Sequence, residues 1–149
     1  NGDLDDRERN ARMITYTFRR RVRYRECDPM GRVYHTHYLD YFEEARTEAL
    51  RSFGLAYREL EESGIIMPVT EVEMRFRGAA RYDDLLAIET SFPDEPRTRV
   101  GIEYAVRRAD EEDEAEVLVT GRVELCFLDA DRQRPVRAPR SIRDVFERL

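Results

Sequence analysis

The chain has 149 residues, the size of a single domain and long enough to bury a core without disulfides or metal. It is 41% hydrophobic, with eight Tyr and seven Phe, which excludes a disordered polymer, and its net charge of −6 speaks against a general nucleic-acid binder. Every basic side chain is Arg; the sequence has no Lys, and Arg serves surface ion pairs and phosphate recognition equally.

Two cysteines, Cys27 and Cys126, fit neither a disulfide framework nor a zinc spacing. No apolar run is long enough to span a membrane, and no signal-peptide pattern opens the chain. These features lead us to expect a soluble, cytoplasmic protein with reduced thiols, no metal, no cofactor and no membrane insertion.

Residues 1–12 are polar and read as a disordered leader, with Met13 a candidate natural start and residues 13–149 a single domain. From 16 to 24 the pattern alternates: Tyr16, Phe18, Val22 and Tyr24 share one face, and Arg20 interrupts it. A period of two predicts a half-buried strand. Asp28-Pro29-Met30-Gly31 then carries the residues of a type I turn.

Tyr38, Phe42, Ala45, Ala49 and Phe53 recur at helical spacing, with acids early, Arg late and Gly54 as a stop. The Ala residues on that face predict a helix lying close to a sheet. A short second helix is expected over 57–62, ending at Gly64.

Alternation resumes around Val72, Met74 and Phe76, then Leu86, Ile88 and Phe92, then Val100 to Val106, then Val117 to Phe127. Gly121 inside the last run reads as a bend or bulge. Residues 110–114 read as a solvated acidic hairpin loop. Ser141, with Asp144 three residues on, reads as the capping box of a final helix. One long helix among five or six strands with short connections predicts an α+β domain: a curved antiparallel sheet wrapped around one central helix. Open edges and an uncovered face predict a homodimer or homotetramer.

The chemistry concentrates in 24–38. This segment links a strand end to a helix start and holds Asp28, Tyr34, Tyr38 and both histidines, His35 and His37. A carboxylate beside free helix N-terminal N–H groups supplies a base or nucleophile and an oxyanion site, two parts that acyl transfer needs. The turn alone leaves two readings open, because Asp at this position also bonds its own backbone.

The run Tyr24-Arg25-Glu26-Cys27-Asp28-Pro29-Met30-Gly31-Arg32-Val33-Tyr34-His35-Thr36-His37-Tyr38-Leu39, continuing through Phe42-Glu43-Glu44-Ala45-Arg46, closely resembles hotdog-fold thioesterases of the 4-hydroxybenzoyl-CoA type. Within them it is most similar to the Tol-Pal-associated acyl-CoA thioesterases. The resemblance implies a hotdog fold and hydrolysis of an acyl-CoA. It puts the catalytic carboxylate on Asp28, the oxyanion-holding amide on His35 and the helix-starting tyrosine on Tyr38. It also implies CoA phosphates held across a subunit interface, for which Arg97, Arg99, Arg132 and Arg134 are candidates.

A rival hotdog arrangement with a mid-helix carboxylate would use Glu44 or Glu48. The chain lacks the His-Gly-Gly segment of that arrangement, so both read as solvent-facing carboxylates balanced by Arg46 and Arg51. Tyr41, Phe42 and Phe53 read as core. The alternatives are a thioesterase acting on an acyl carrier protein and a non-catalytic acyl-CoA binding module.

Overall fold

The computed structural model describes residues 14–109 and 115–148. The expected leader and the acidic stretch at 110–114 lie outside the described residues. Strand β1 (Ile14–Arg21) enters the sheet, and the chain then makes one 3-10 turn at Tyr24–Glu26. Tyr24 therefore leaves the strand that the alternation placed it in, and it is exposed. Helix α1 (His37–Ser52) follows, then α2 (Tyr57–Glu62). Gly54 and Gly64 end these helices with φ of 83° and 85°, the left-handed geometry a helix stop asks of glycine.

The remaining strands are β2 (Ile65–Ile66), β3 (Val69–Phe76), β4 (Leu85–Phe92), β5 (Arg99–Arg108), β6 (Val119–Cys126), β7 (Leu128–Asp129) and β8 (Arg134–Pro135). Helix α3 (Arg140–Glu147) comes last. The main sheet has the order β1-β4-β5-β6-β3, and every pairing in it is antiparallel. A second small sheet, β2-β7-β8, was not evident from alternation because its strands have two residues each.

α1 lies along the inner face of the sheet. It buries Tyr38, Tyr41, Phe42, Ala45, Ala49 and Leu50 against Leu86, Ile88, Ile102, Tyr104 and Val123. Phe53 is half-buried and packs edge-on against Phe92. The small Ala45 and Ala49, both fully buried, allow the close approach that the pattern predicts.

Two expectations are corrected. Gly121 is no bulge: it stays in register with Tyr104 and Met74, and the register shift falls between Val69 and Glu71. A Cβ at Gly121 would overlap the Phe42 ring, which stacks on Tyr104 at 4.3 Å. The glycine makes room for the helix. Ser141 is not a cap either. α3 begins at Arg140 after an extended Pro139, and no side chain caps it. Pro fixes the entry geometry, so the cap position falls on Pro139, two residues earlier than the Ser signal.

β3 also departs from the simple alternating picture. Val72 and Phe76, on its apolar face, are 42% and 50% exposed. The strand is a sheet edge; α1 meets it through the Tyr38 ring, 5.8 Å from that of Phe76, and leaves Val72 open. Among the described residues, no helix is long and apolar enough to cross a membrane.

Candidate active site

The Asp28 turn forms as its residues dictate. The Gly31 N–H donates to the Asp28 carbonyl at 2.9 Å, and Gly31 takes a φ of 77°. The Asp28 N–H donates to the Arg32 carbonyl at 2.7 Å, and Cys27 bridges to Val33. The segment is thus a tiny hairpin with Asp28 at its tip. The two carboxylate oxygens of Asp28 differ. Oδ1 accepts the Met30 N–H at 2.9 Å and the Arg32 N–H at 3.1 Å. Oδ2 has no protein partner among the described residues.

Beyond the hairpin the chain turns into α1. The His37, Tyr38 and Leu39 N–H groups donate to the carbonyls of Tyr34, His35 and Thr36. These tight early bonds use up the first amides of the helix proper. The N–H groups of His35 and Thr36 donate to no acceptor among the described residues. The free donors of this terminus therefore sit just ahead of the helix, and one of them is the His35 amide. The His35 ring is exposed, packs against Tyr34 at 4.4 Å and meets Phe76 edge-on at 6.4 Å. The His37 ring pairs through Nδ1 with Asp40 at 3.1 Å.

The far wall is the 79–84 loop. Ala80 donates its N–H to the Tyr38 hydroxyl at 3.2 Å and accepts the Val33 N–H at 2.9 Å. Asp84 fixes the loop by accepting the Arg81 N–H at 2.9 Å and Arg108 Nε at 3.1 Å. Tyr38 is 2% exposed, and burial raises its phenol above the ordinary range. The structure thus places Tyr38 behind the segment, holding Ala80.

Sequence reasoning passed over Glu26. It is 4% exposed and the only charged side chain in the buried set of the described residues. Its Oε1 accepts the Arg23 N–H at 2.7 Å and the Tyr41 hydroxyl at 3.0 Å, and its Oε2 pairs with Arg20. Its carbonyl accepts the Tyr34 N–H at 2.9 Å. The Arg20 guanidinium also lies 4.7 Å from the centre of the Tyr41 ring. Burial pushes the Glu26 carboxyl up, but the Arg23 N–H, Arg20 and Tyr41 together outweigh it and hold it below the usual range. The signal was present in the sequence as Arg20, a charge on an apolar strand face.

Glu44 is corrected accordingly. It is half-exposed, and its carboxylate lies 3.1 Å from Arg20 Nε rather than facing only water. Burial raises it. Glu48 does pair with Arg51, while Arg46 sits beside the buried Tyr104 hydroxyl, which burial pushes up to about 12.

Arg97, Arg99, Arg132 and Arg134 are exposed, and Arg99 pairs with Glu124 at 3.4 Å. Arg97 and Arg99 flank the start of β5, beyond the Phe92 end of β4, whereas the Asp28 hairpin joins the sheet through Arg32 and Arg81 near its Leu85 end. The length of β4 separates these ends, about 23 Å at ~3.3 Å per residue. Within one chain, these arginines and Asp28 are not brought together. An apolar cavity of about 90 Å³ lies under the C-terminal half of α1, lined by Leu50, Phe92, Ile102, Phe127, Ile142 and Phe146. Tyr41, Phe42 and Phe53 do not line it.

The thioesterase-like superfamily model matches residues 22–146. The acyl-CoA thioesterase YbgC of Haemophilus influenzae is 30% identical over 135 residues, covering 90% of this chain and 96% of that protein. The acyl-CoA thioester hydrolase YbgC of Escherichia coli O157:H7 is 32% identical over 124 residues, covering 82% and 88%. Among solved structures, a DHNA-CoA thioesterase from Staphylococcus aureus superposes with a TM-score of 0.77 at 28% identity, covering 83% of this chain and 80% of that one. Both sequence and architecture lead to one conclusion: the chain belongs to the thioesterase-like superfamily and is a hotdog-fold thioester hydrolase.

Proposed function

We propose that the chain hydrolyses an acyl-CoA in the cytoplasm, releasing a free acid and CoA, with Asp28 and the His35 amide meeting at one thioester carbonyl. The observation that carries this reading is the division of labour at Asp28: Oδ1 holds the turn, and Oδ2 is left without a protein partner. The free His35 N–H, just ahead of α1, donates to the carbonyl oxygen as negative charge develops there, a contribution of roughly 3–4 kcal/mol for one well-placed donor. Asp28 Oδ2 either takes a proton from the attacking water or attacks the carbonyl itself. The CoA thiolate leaves in both routes; in the second, water then cleaves the acyl–Asp28 anhydride, freeing the acid and restoring the carboxylate. Tyr38 serves from behind, fixing Ala80 and through it Val33. The Val33-Tyr34-His35 and Tyr38-Leu39 wording supports a place in the Tol-Pal-associated branch.

Asp28→Asn tests the proposal cleanly. The amide oxygen of Asn accepts the same two N–H groups, so the turn survives while Oδ2 is replaced by an NH₂ group. The expected loss of kcat exceeds ~10²-fold. A loss below ~10-fold removes Asp28 from the chemical step. A single turnover in heavy-oxygen water probes the two routes: direct water attack puts the label in the first product acid, whereas label in Asp28 with an unlabelled first acid marks an anhydride opened at the Asp28 carbonyl.

The active assembly in this reading is a homodimer joined along β3. Exposed Val69, Val72 and Phe76 on an open strand edge support it. Arg97, Arg99 and Arg134, remote from Asp28 in their own chain, would then meet the CoA phosphates bound at the partner's site. A second reading has a specific observation behind it. Arg25, Arg32 and Arg81 are all exposed around the Asp28 hairpin with no ion pair among the described residues, a surface suited to an acidic acyl carrier protein. Turnover of one acyl chain on CoA and on the carrier decides between the two.

A further inference from the structure

We infer that Glu26 is a positioning residue for thioester cleavage, locking the Asp28 turn and the His35 amide into a single frame. The inference rests on the roles proposed above for Asp28 and His35. Glu26 makes bonds to four parts of the fold. Its side chain reaches Arg20 in β1, Tyr41 in α1 and the Arg23 N–H of the preceding 3-10 turn. Its carbonyl takes the Tyr34 N–H. Asp28 follows Glu26 by two residues, and His35 follows Tyr34 by one. One buried residue therefore fixes both sides of the hairpin from which the carboxylate and the amide project.

Stability alone is a poor reason to keep such a group. Buried ion pairs are often replaced by apolar side chains of similar volume with no loss of stability. What an apolar replacement cannot do is hold two strands of a hairpin at fixed distances. Misplacing reacting groups by about 1 Å costs roughly 10²-fold in rate.

The test replaces the whole cluster in the full chain: Arg20→Met, Glu26→Leu and Tyr41→Phe together. The expected result is a folded protein with Tm near the parent's, KM for acyl-CoA within about 2-fold and kcat lower by about 10–100-fold. A folded triple variant whose kcat is restored to near the parent's overturns the inference. If the triple variant does not fold, Tyr41→Phe alone keeps the Arg20–Glu26 pair and the packed ring while removing one tether. It should lower kcat by roughly 3–10-fold at constant KM, and an unchanged kcat overturns the inference. Glu26→Gln, which keeps Oε1 and both of its bonds, should retain more kcat than Glu26→Leu; equal losses overturn it. Asp28→Asn run in parallel separates the failures. If that variant stays active, the reading of the site falls. If it is inactive while the cluster variant matches the parent, only the role of Glu26 falls.

Discussion

One oxygen of Asp28 does what any turn-forming Asp does, and the other has no protein partner among the described residues. In the proposed reading, the structural and the chemical roles of this residue fall to different atoms. Glu26 makes a second residue-scale point. Its carboxyl is held below its ordinary value of 4.5 by the Arg23 N–H, Arg20 and Tyr41, against the opposing effect of burial. A depressed carboxyl stabilises the fold above its unfolded pKa and loses that contribution as pH falls through the folded value. The Tm advantage of the parent over Glu26→Gln should thus be full near neutrality and shrink below about pH 4.5. Melting curves at stepped pH check this; a constant gap rules it out. Asp28 was legible because its partners lie within four residues. Glu26 was not, because Arg20 and Tyr41 lie on other elements, 6 and 15 residues away. A periodic reading registers Arg20 only as an interruption.

At the scale of elements, the helix and sheet meet through a matched pair of features. Ala45 and Ala49 thin the helix face, and Gly121 opens the sheet where Phe42 descends onto Tyr104. Gly121→Ala should destabilise by about 1–3 kcal/mol as an overpacked core does. Calorimetry should show Tm lower by roughly 3–10 °C. An unchanged Tm would mean that Phe42 can move aside. The helix was legible from its own period. The role of Gly121 was not, since a glycine in a strand reads as a bulge until the facing ring is known. Likewise, alternation in β3 gave two faces without saying that the apolar one is only partly covered, with Met74 on the core and Val72 open.

For the whole molecule, the proposed homodimer joins two observations, the open β3 edge and the distance between the Asp28 hairpin and Arg97, Arg99 and Arg134. Val72→Lys puts a charge on that edge, a substitution that discourages strand pairing. Light scattering should then report monomers, with KM for acyl-CoA raised as the partner's arginines are lost. A dimer unaffected by Val72→Lys would place the interface elsewhere.

The burial of Tyr38, Tyr41 and Tyr104 has an optical consequence. The chain has no Trp, so tyrosine dominates its near-ultraviolet spectrum. These three phenols are raised by burial in the folded protein. In an alkaline titration their phenolate bands should emerge only as the fold opens, as one late and cooperative step. A single absorbance trace then follows the closing of helix on sheet, with no label attached.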